Sequence, residues 1–250
     1  MTPLELGDCT YEEVRTLLAS GSVVGLLPTG ATEAHGPHLP LATDVVISRE
    51  AARRAASLLR GRGVRAVVLP PLAYAVTDYA SGFAGTISLP LDTARLLVRD
   101  VILGATSTGL FGVVICNAHL EPDNLRALSE GMALAIEGGA RASFPDVTKK
   151  PHALRLGDEF KSGACHAGRY ETSLVLAAGA SVRTDRAESL PPNPSSLSRA
   201  IRDGKKTFEE AGGPDAYFGW PADATTDEGD QLFGELADIF ASAAEALAKT

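Results

Sequence analysis

The chain has 250 residues, 45% hydrophobic and 22% charged, enough apolar material for a sizeable packed core. Its 31 acidic and 23 basic residues give a formal net charge of -8, which opposes tight binding to nucleic acid or anionic lipid. No run approaches the length of a membrane span, the first residues lack a leader pattern, and Cys9, Cys116 and Cys165 are too scattered for a disulfide framework or metal knuckle, so a cytoplasmic protein is expected.

Thr10 followed by Glu13 reads as a capping box opening a helix to about Ser20. Ser22 to Leu27 is a compact apolar run closed by Pro28, the pattern of a buried strand. A Gly- and Pro-rich loop to Pro40 leads into a helix from Asp44 to about Leu59. Val64 to Leu69 is the next strand, and a glycine-rich loop then carries Asp78, Tyr79 and Phe83 to a short segment, Thr86 to Leu89. Asp92 is read as the cap of a helix reaching Gly109, Phe111 to Cys116 as an apolar strand, and Pro122 to Glu137 as a helix. A strand over Arg141 to Val147, a helix over Gly168 to Ala178, a turn-rich excursion over 183–198 and a final helix from Asp227 to Ala248 complete the reading. Strands of continuous apolar character separated by helices predict one α/β domain over residues 1–250, with three layers and a mostly parallel central sheet flanked by helices.

Three clusters carry the polar chemistry. The loop from Thr32 to Asp44 holds Glu33, His35, His38 and Asp44, and alternate residues such as Glu33 and His35 point the same way in extended backbone. Neutral imidazole and carboxylate are the usual ligands of zinc, manganese or iron. For Asp44, beside a helix start, capping is an equally weighted reading. His119 and Glu121 leave the Phe111–Cys116 strand at the same sheet edge, where ligands collect in such folds. His166 and Glu171 flank the start of the Gly168 helix.

The stretch Glu33-Ala-His-Gly-Pro-His-Leu-Pro-Leu-Ala-Thr-Asp44 resembles the signature loop of the creatininase family, the creatinine amidohydrolases and their relatives. The Gly85-Thr86-Ile87 segment, the strand exit with His119, and His166-Ala-Gly-Arg-Tyr-Glu171 are similar to later motifs of that family in the same order, over roughly residues 5–180. The resemblance implies a dinuclear site. Glu33 and His119 would hold one metal, His35 the other, and Asp44 would bridge them. The remaining ligand is Glu121, as in the creatinine-hydrolysing members, or Glu171, as in many relatives; this chain has both. Zinc is the expected metal, with manganese or iron as alternatives, and a homo-oligomer, often a hexamer, is implied.

On that reading the chain hydrolyses a cyclic amide, formamide or small peptide-like C–N bond. A metal-held hydroxide is the nucleophile, and His166 is the proton shuttle that a poor amine leaving group requires. A lactone or sugar-like cyclic ketone opened on the same site, or a non-catalytic relative, are the alternatives. The creatinine-hydrolysing members resemble one another in tryptophans around the pocket. Here none precedes His166, and the single tryptophan, Trp220, lies far along the chain. Tyr79 and Phe83 are therefore candidate stacking surfaces, and Lys161 and Arg169 candidate contacts for a carboxylate-bearing substrate. The loop after the first strand has no Gly-x-Gly-x-x-Gly fingerprint or phosphate-loop lysine, which excludes a nucleotide-binding reading.

Overall fold

The computed structural model describes residues 5–249; residues 1–4 and Thr250 lie outside that range, and with them part of the stretch on which the expectation of no leader pattern rests. Helix α1 (Tyr11–Ala19) opens on the expected capping box, in which Thr10 Oγ1 accepts from the Glu13 amide at 3.4 Å and the Glu13 carboxylate accepts from the Thr10 amide at 2.7 Å. Strand β1 (Val23–Thr29) is buried throughout and is followed, across a loop, by α2 (Thr43–Gly61). The alternation continues through β2 (Arg65–Val68), α3 (Leu91–Ser107), β3 (Gly112–Asn117) and α4 (Pro122–Glu137). Pro90, not Asp92, occupies the cap of α3; Asp92 sits in the first turn and pairs with Arg95 at 2.9 Å.

Strand β4 is only Ala142–Ser143, shorter than the run to Val147 predicted, and Pro145 has no N–H to continue the ladder. Short helices then follow as α5 (Gly157–Ser162), α6 (Arg169–Ala177), α7 (Thr184–Ser189) and α8 (Leu197–Arg202), before α9 (Thr226–Ala248). The stretch expected to be turns over 183–198 thus contains α7 and the start of α8.

Among the described residues four strands form an all-parallel sheet in the order β2-β1-β3-β4. Period-two alternation divides each strand between two covered faces. Val24, Leu26, Val68 and Val114 pack with α2, α6 and α9, whereas Val23, Leu27, Val67 and Ile115 pack with α3 and α4. The result is the predicted three-layer arrangement with helices on both faces of the sheet.

The chain leaves β1 for β2 on one side and later inserts β3 on the other, so the order reverses between β1 and β3. Crevices beyond the strand ends at such a switch are where α/β sheets hold ligands. Close approach at this point depends on Gly30. A Cβ there would lie 2.5 Å from Asp44 Cβ and 2.8 Å from the Asp44 carbonyl carbon, so only glycine lets the first turn of α2 sit against the end of β1. Gly30→Ala is expected to lower stability by about 1–3 kcal/mol, the usual scale of overpacking, and to reduce retained metal. Urea unfolding together with elemental analysis checks both; unchanged values would show that α2 moves aside without consequence.

Candidate metal centre

Glu33 and His35 lie in the loop after β1, Asp44 in the first turn of α2, His119 two residues beyond β3, and Glu171 in the first turn of α6. All five are buried, none more than 4% exposed. Their donor atoms form two interlocking groups, Glu33–Asp44–His119 and His35–Asp44–Glu171, with Asp44 common to both. His166 joins a third group with Glu33 and His35. Asp44 is not the helix cap; that position is Ala42, and Asp44 Oδ2 instead accepts from the Ala31 amide at 3.0 Å, which aims Oδ1 at His35.

The imidazoles are oriented by backbone carbonyls, which only accept hydrogen bonds and so fix the tautomer of each ring. His35 Nδ1 donates to Glu33 O at 3.1 Å, His119 Nε2 to Val76 O at 2.8 Å, and His166 Nε2 to Ala34 O at 2.9 Å. Each ring therefore turns its other nitrogen inward, an acceptor whenever the imidazole is neutral. His119 Nδ1 lies 3.0 Å from Glu33 Oε1 and 3.2 Å from Asp44 Oδ2; His35 Nε2 lies 3.2 Å from Asp44 Oδ1 and 3.7 Å from both Glu33 and Glu171. Lone pairs facing carboxylates at these distances repel unless a cation or a proton lies between them.

The electrostatics require positive charge at the centre. Among the described residues the ion pairs of Glu33, Asp44 and Glu171 are with histidines alone. Burial pushes the His35 imidazole toward neutrality, yet Asp44, Glu171 and Glu33 together raise its pKa to about 10. Burial lifts the Glu171 carboxyl to about 8, with His35 opposing and Asp44 adding to the rise. His35 Nε2 is fully enclosed and makes no hydrogen bond. Imidazole and carboxylate donors turned inward, buried and without a lysine or arginine counter-charge fit a divalent metal cofactor.

The other predicted residues divide. Glu121 lies near the cluster but outside its donor groups, because its carboxylate accepts from the Asp78 and Tyr79 amides at 2.9 and 3.2 Å. Burial raises its pKa to about 7, partly offset by His119 and those two amides. His38 bonds Thr172 Oγ1 at 2.9 Å and ties the first loop to α6. A cavity of about 510 Å³ opens onto the cluster and is lined by Tyr79, Lys161 and His166. Phe83 and Arg169 do not line it: Phe83 packs on Phe208, and Arg169 faces Glu228 of α9 at 3.1 Å because the first turn of α6 points it away. Trp220 is also absent from the lining. Phe208, Phe160, Lys150 and Arg202 do line it, and sequence reasoning missed all four. They come from the irregular second half, where no periodicity marks the inward face.

His166 is held on both sides, its ring 4.4 Å from His35 and 4.2 Å from Phe208, centroid to centroid. Burial and the charge on His35 lower its pKa to about 4. Its loop is anchored by Glu159, a buried carboxylate that accepts from the amides of Arg169, Tyr170 and Trp220 at 2.9, 2.6 and 2.8 Å. Glu159→Gln places an NH₂ group against this ring of donors and is expected to cost about 1–3 kcal/mol, the range for unsatisfied buried polar groups. Urea unfolding measures it; a change under half a kilocalorie would show that the loop rearranges around the amide.

The sequence model of the family described as Creatinine amidohydrolase matches residues 7–244. A mycofactocin precursor peptide peptidase from Mycobacterium tuberculosis is 31% identical over 242 residues, 94% of this chain and 88% of that protein. A creatinine amidohydrolase from Pseudomonas putida is 30% identical over 194 residues, 69% and 70% of the two chains. A crystal structure of a creatinine amidohydrolase superposes with a TM-score of 0.77 at 24% identity, covering 100% of this chain and 98% of that one. Family match, fold and buried donor cluster agree, and the chain belongs to the creatininase family of metal-dependent amidohydrolases.

Proposed function

We propose that the whole chain acts as one catalytic unit, a two-metal hydrolase of a small peptide-like amide. The observation that carries this reading is the pair of donor groups sharing Asp44, each with an inward imidazole nitrogen and no other counter-charge. Glu33 and His119 would hold one ion and His35 and Glu171 the other, with Asp44 available to both. When bound, the ions lower the pKa of water and polarise a carbonyl. The protein's own contribution is proton transfer. His166 keeps Nε2–H on Ala34 O and presents Nδ1, which takes a proton from the nucleophile and delivers it to the departing nitrogen.

A peptide-like amide suits the cavity better than creatinine, since no tryptophan lines it and a 31% identical relative is a peptide peptidase. Zinc fits the mixed donors, with manganese or iron able to replace it. A cytoplasmic homo-oligomer, a hexamer by the family's pattern, is part of the same reading; no helix among the described residues is long and apolar enough to cross a membrane. The test is hydrolysis of N-acyl peptides, formamides, cyclic amides and lactones by chelator-stripped protein with and without added zinc or manganese. Metal-restored cleavage of a peptide-like amide is expected. Cleavage of lactones alone, or of nothing, contradicts the proposal.

A further inference from the structure

We infer that the cavity takes its substrate in one direction, as a short apolar peptide whose free C-terminal carboxylate lies at the mouth while the scissile carbonyl reaches the metal centre. The inference rests on the proposed amidohydrolase reading and adds a polarity that the donor cluster alone does not supply. It comes from how charge is distributed along the lining. At the inner end are Glu33, Asp44, Glu171 and Glu121, all buried. At the outer end are Lys150, Lys161 and Arg202, all exposed, contributed by the turn after β4, by α5 and by α8. Leu120, Phe160, Leu197 and Phe208 give the same cavity its apolar wall.

Each zone selects a different part of a ligand. The apolar wall removes hydrophobic side chains from water, and a volume of about 510 Å³ suits a short peptide segment but no folded chain. The cationic mouth attracts a carboxylate and repels an ammonium group, so a peptide entering by its free N-terminus meets the wrong charge. Two of the three cations are open to such a ligand: among the described residues no ion pair or side-chain hydrogen bond engages Lys150 or Arg202. Lys161 pairs with Asp158 at 2.9 Å, but the Asp158 side chain is 92% exposed, and a surface pair of this kind yields readily to an arriving carboxylate. Against a net charge of -8, a cationic mouth also concentrates anionic ligands where the rest of the surface repels them.

The test compares N-acetyl-Leu-Leu-Phe with its C-terminal carboxamide on the metal-loaded protein, by calorimetric binding and by turnover. The free acid is expected to bind about 5–10-fold more tightly than the carboxamide, with the preference shrinking in high salt. The preference should vanish in a Lys150→Gln/Lys161→Gln/Arg202→Gln triple variant and return in Lys150→Arg/Lys161→Arg/Arg202→Lys. All three side chains are exposed, so folding is not at risk. Equal binding of the two peptides, binding of neither, or a preference that survives the triple Gln variant overturns the inference, the last because the carboxylate would then be drawn to the metals. Hydrolysis of both peptides with equal KM leaves the amidohydrolase reading intact and rejects the polarity. Preferential binding of the acid without hydrolysis of either upholds the polarity and rejects the activity.

Discussion

Glu171→Gln is expected to strip one of two metal ions from the protein, whereas Glu121→Gln retains both. The geometry separates the two carboxylates. Glu171 Oε2 accepts from the Ala167 amide at 2.6 Å and lies 3.7 Å from His35 Nε2, within a donor group that includes Asp44. Both Glu121 oxygens are engaged by the Asp78 and Tyr79 amides. A glutamine at 171 removes an anionic donor from a buried site, and affinity for the second ion should fall by more than the 10–100-fold typical of losing an outer-shell partner. A glutamine at 121 instead leaves the metal donors intact and loosens the 78–79 loop, so the expected change is in KM. Elemental analysis of both variants after gel filtration decides it. Loss of an ion from the Glu121 variant with full retention in the Glu171 variant would reverse the assignment.

His166→Ala is expected to keep both ions and to lower kcat by about 10²–10⁴, the range for a missing general acid–base. Its Nε2–H is committed to Ala34 O, and Nδ1 stands 3.9 Å from the nearest Glu33 oxygen, farther than the His35 and His119 nitrogens stand from their nearest carboxylates. The ring also lines the cavity, where a leaving group would sit. The loss should shrink for an activated ester, whose leaving group departs without a proton. Metal content and kcat on amide and ester, for wild type and variant, make the measurement. Departure of an ion would make His166 a ligand, and unchanged turnover would give it no part in proton transfer.

The parts legible in the sequence were those encoded locally. Thr10 and Glu13 announced α1 by a capping box, and the apolar runs of β1 and β3 announced a sheet covered on both faces. Glu33, His35 and His119 stood out as candidates because imidazole beside carboxylate in strand-exit loops is the pattern of metal donors, and the structure gathers their donor atoms with those of Asp44. Asp44 was ambiguous, since one carboxylate beside a helix start serves equally as cap or ligand; that Ala42 takes the cap position and that the Asp44 carboxylate faces His35 and His119 are three-dimensional facts. The same holds for Glu121 against Glu171, which depends on where the 78–79 amides lie. Arg169 is turned toward Glu228 by helical phase against α9, and Lys150 and Phe208, both in turns, and Arg202, at the end of α8, were invisible because no sequence period marks which residues of such segments face the cavity.

The central claim is that Asp44 joins two donor groups into one site for two ions, and the most direct test is the metal stoichiometry of the wild-type protein. Protein purified without chelator, then incubated with zinc or manganese and freed of excess by gel filtration, should carry close to two divalent ions per chain. A reproducible value of one or none after that loading would contradict it.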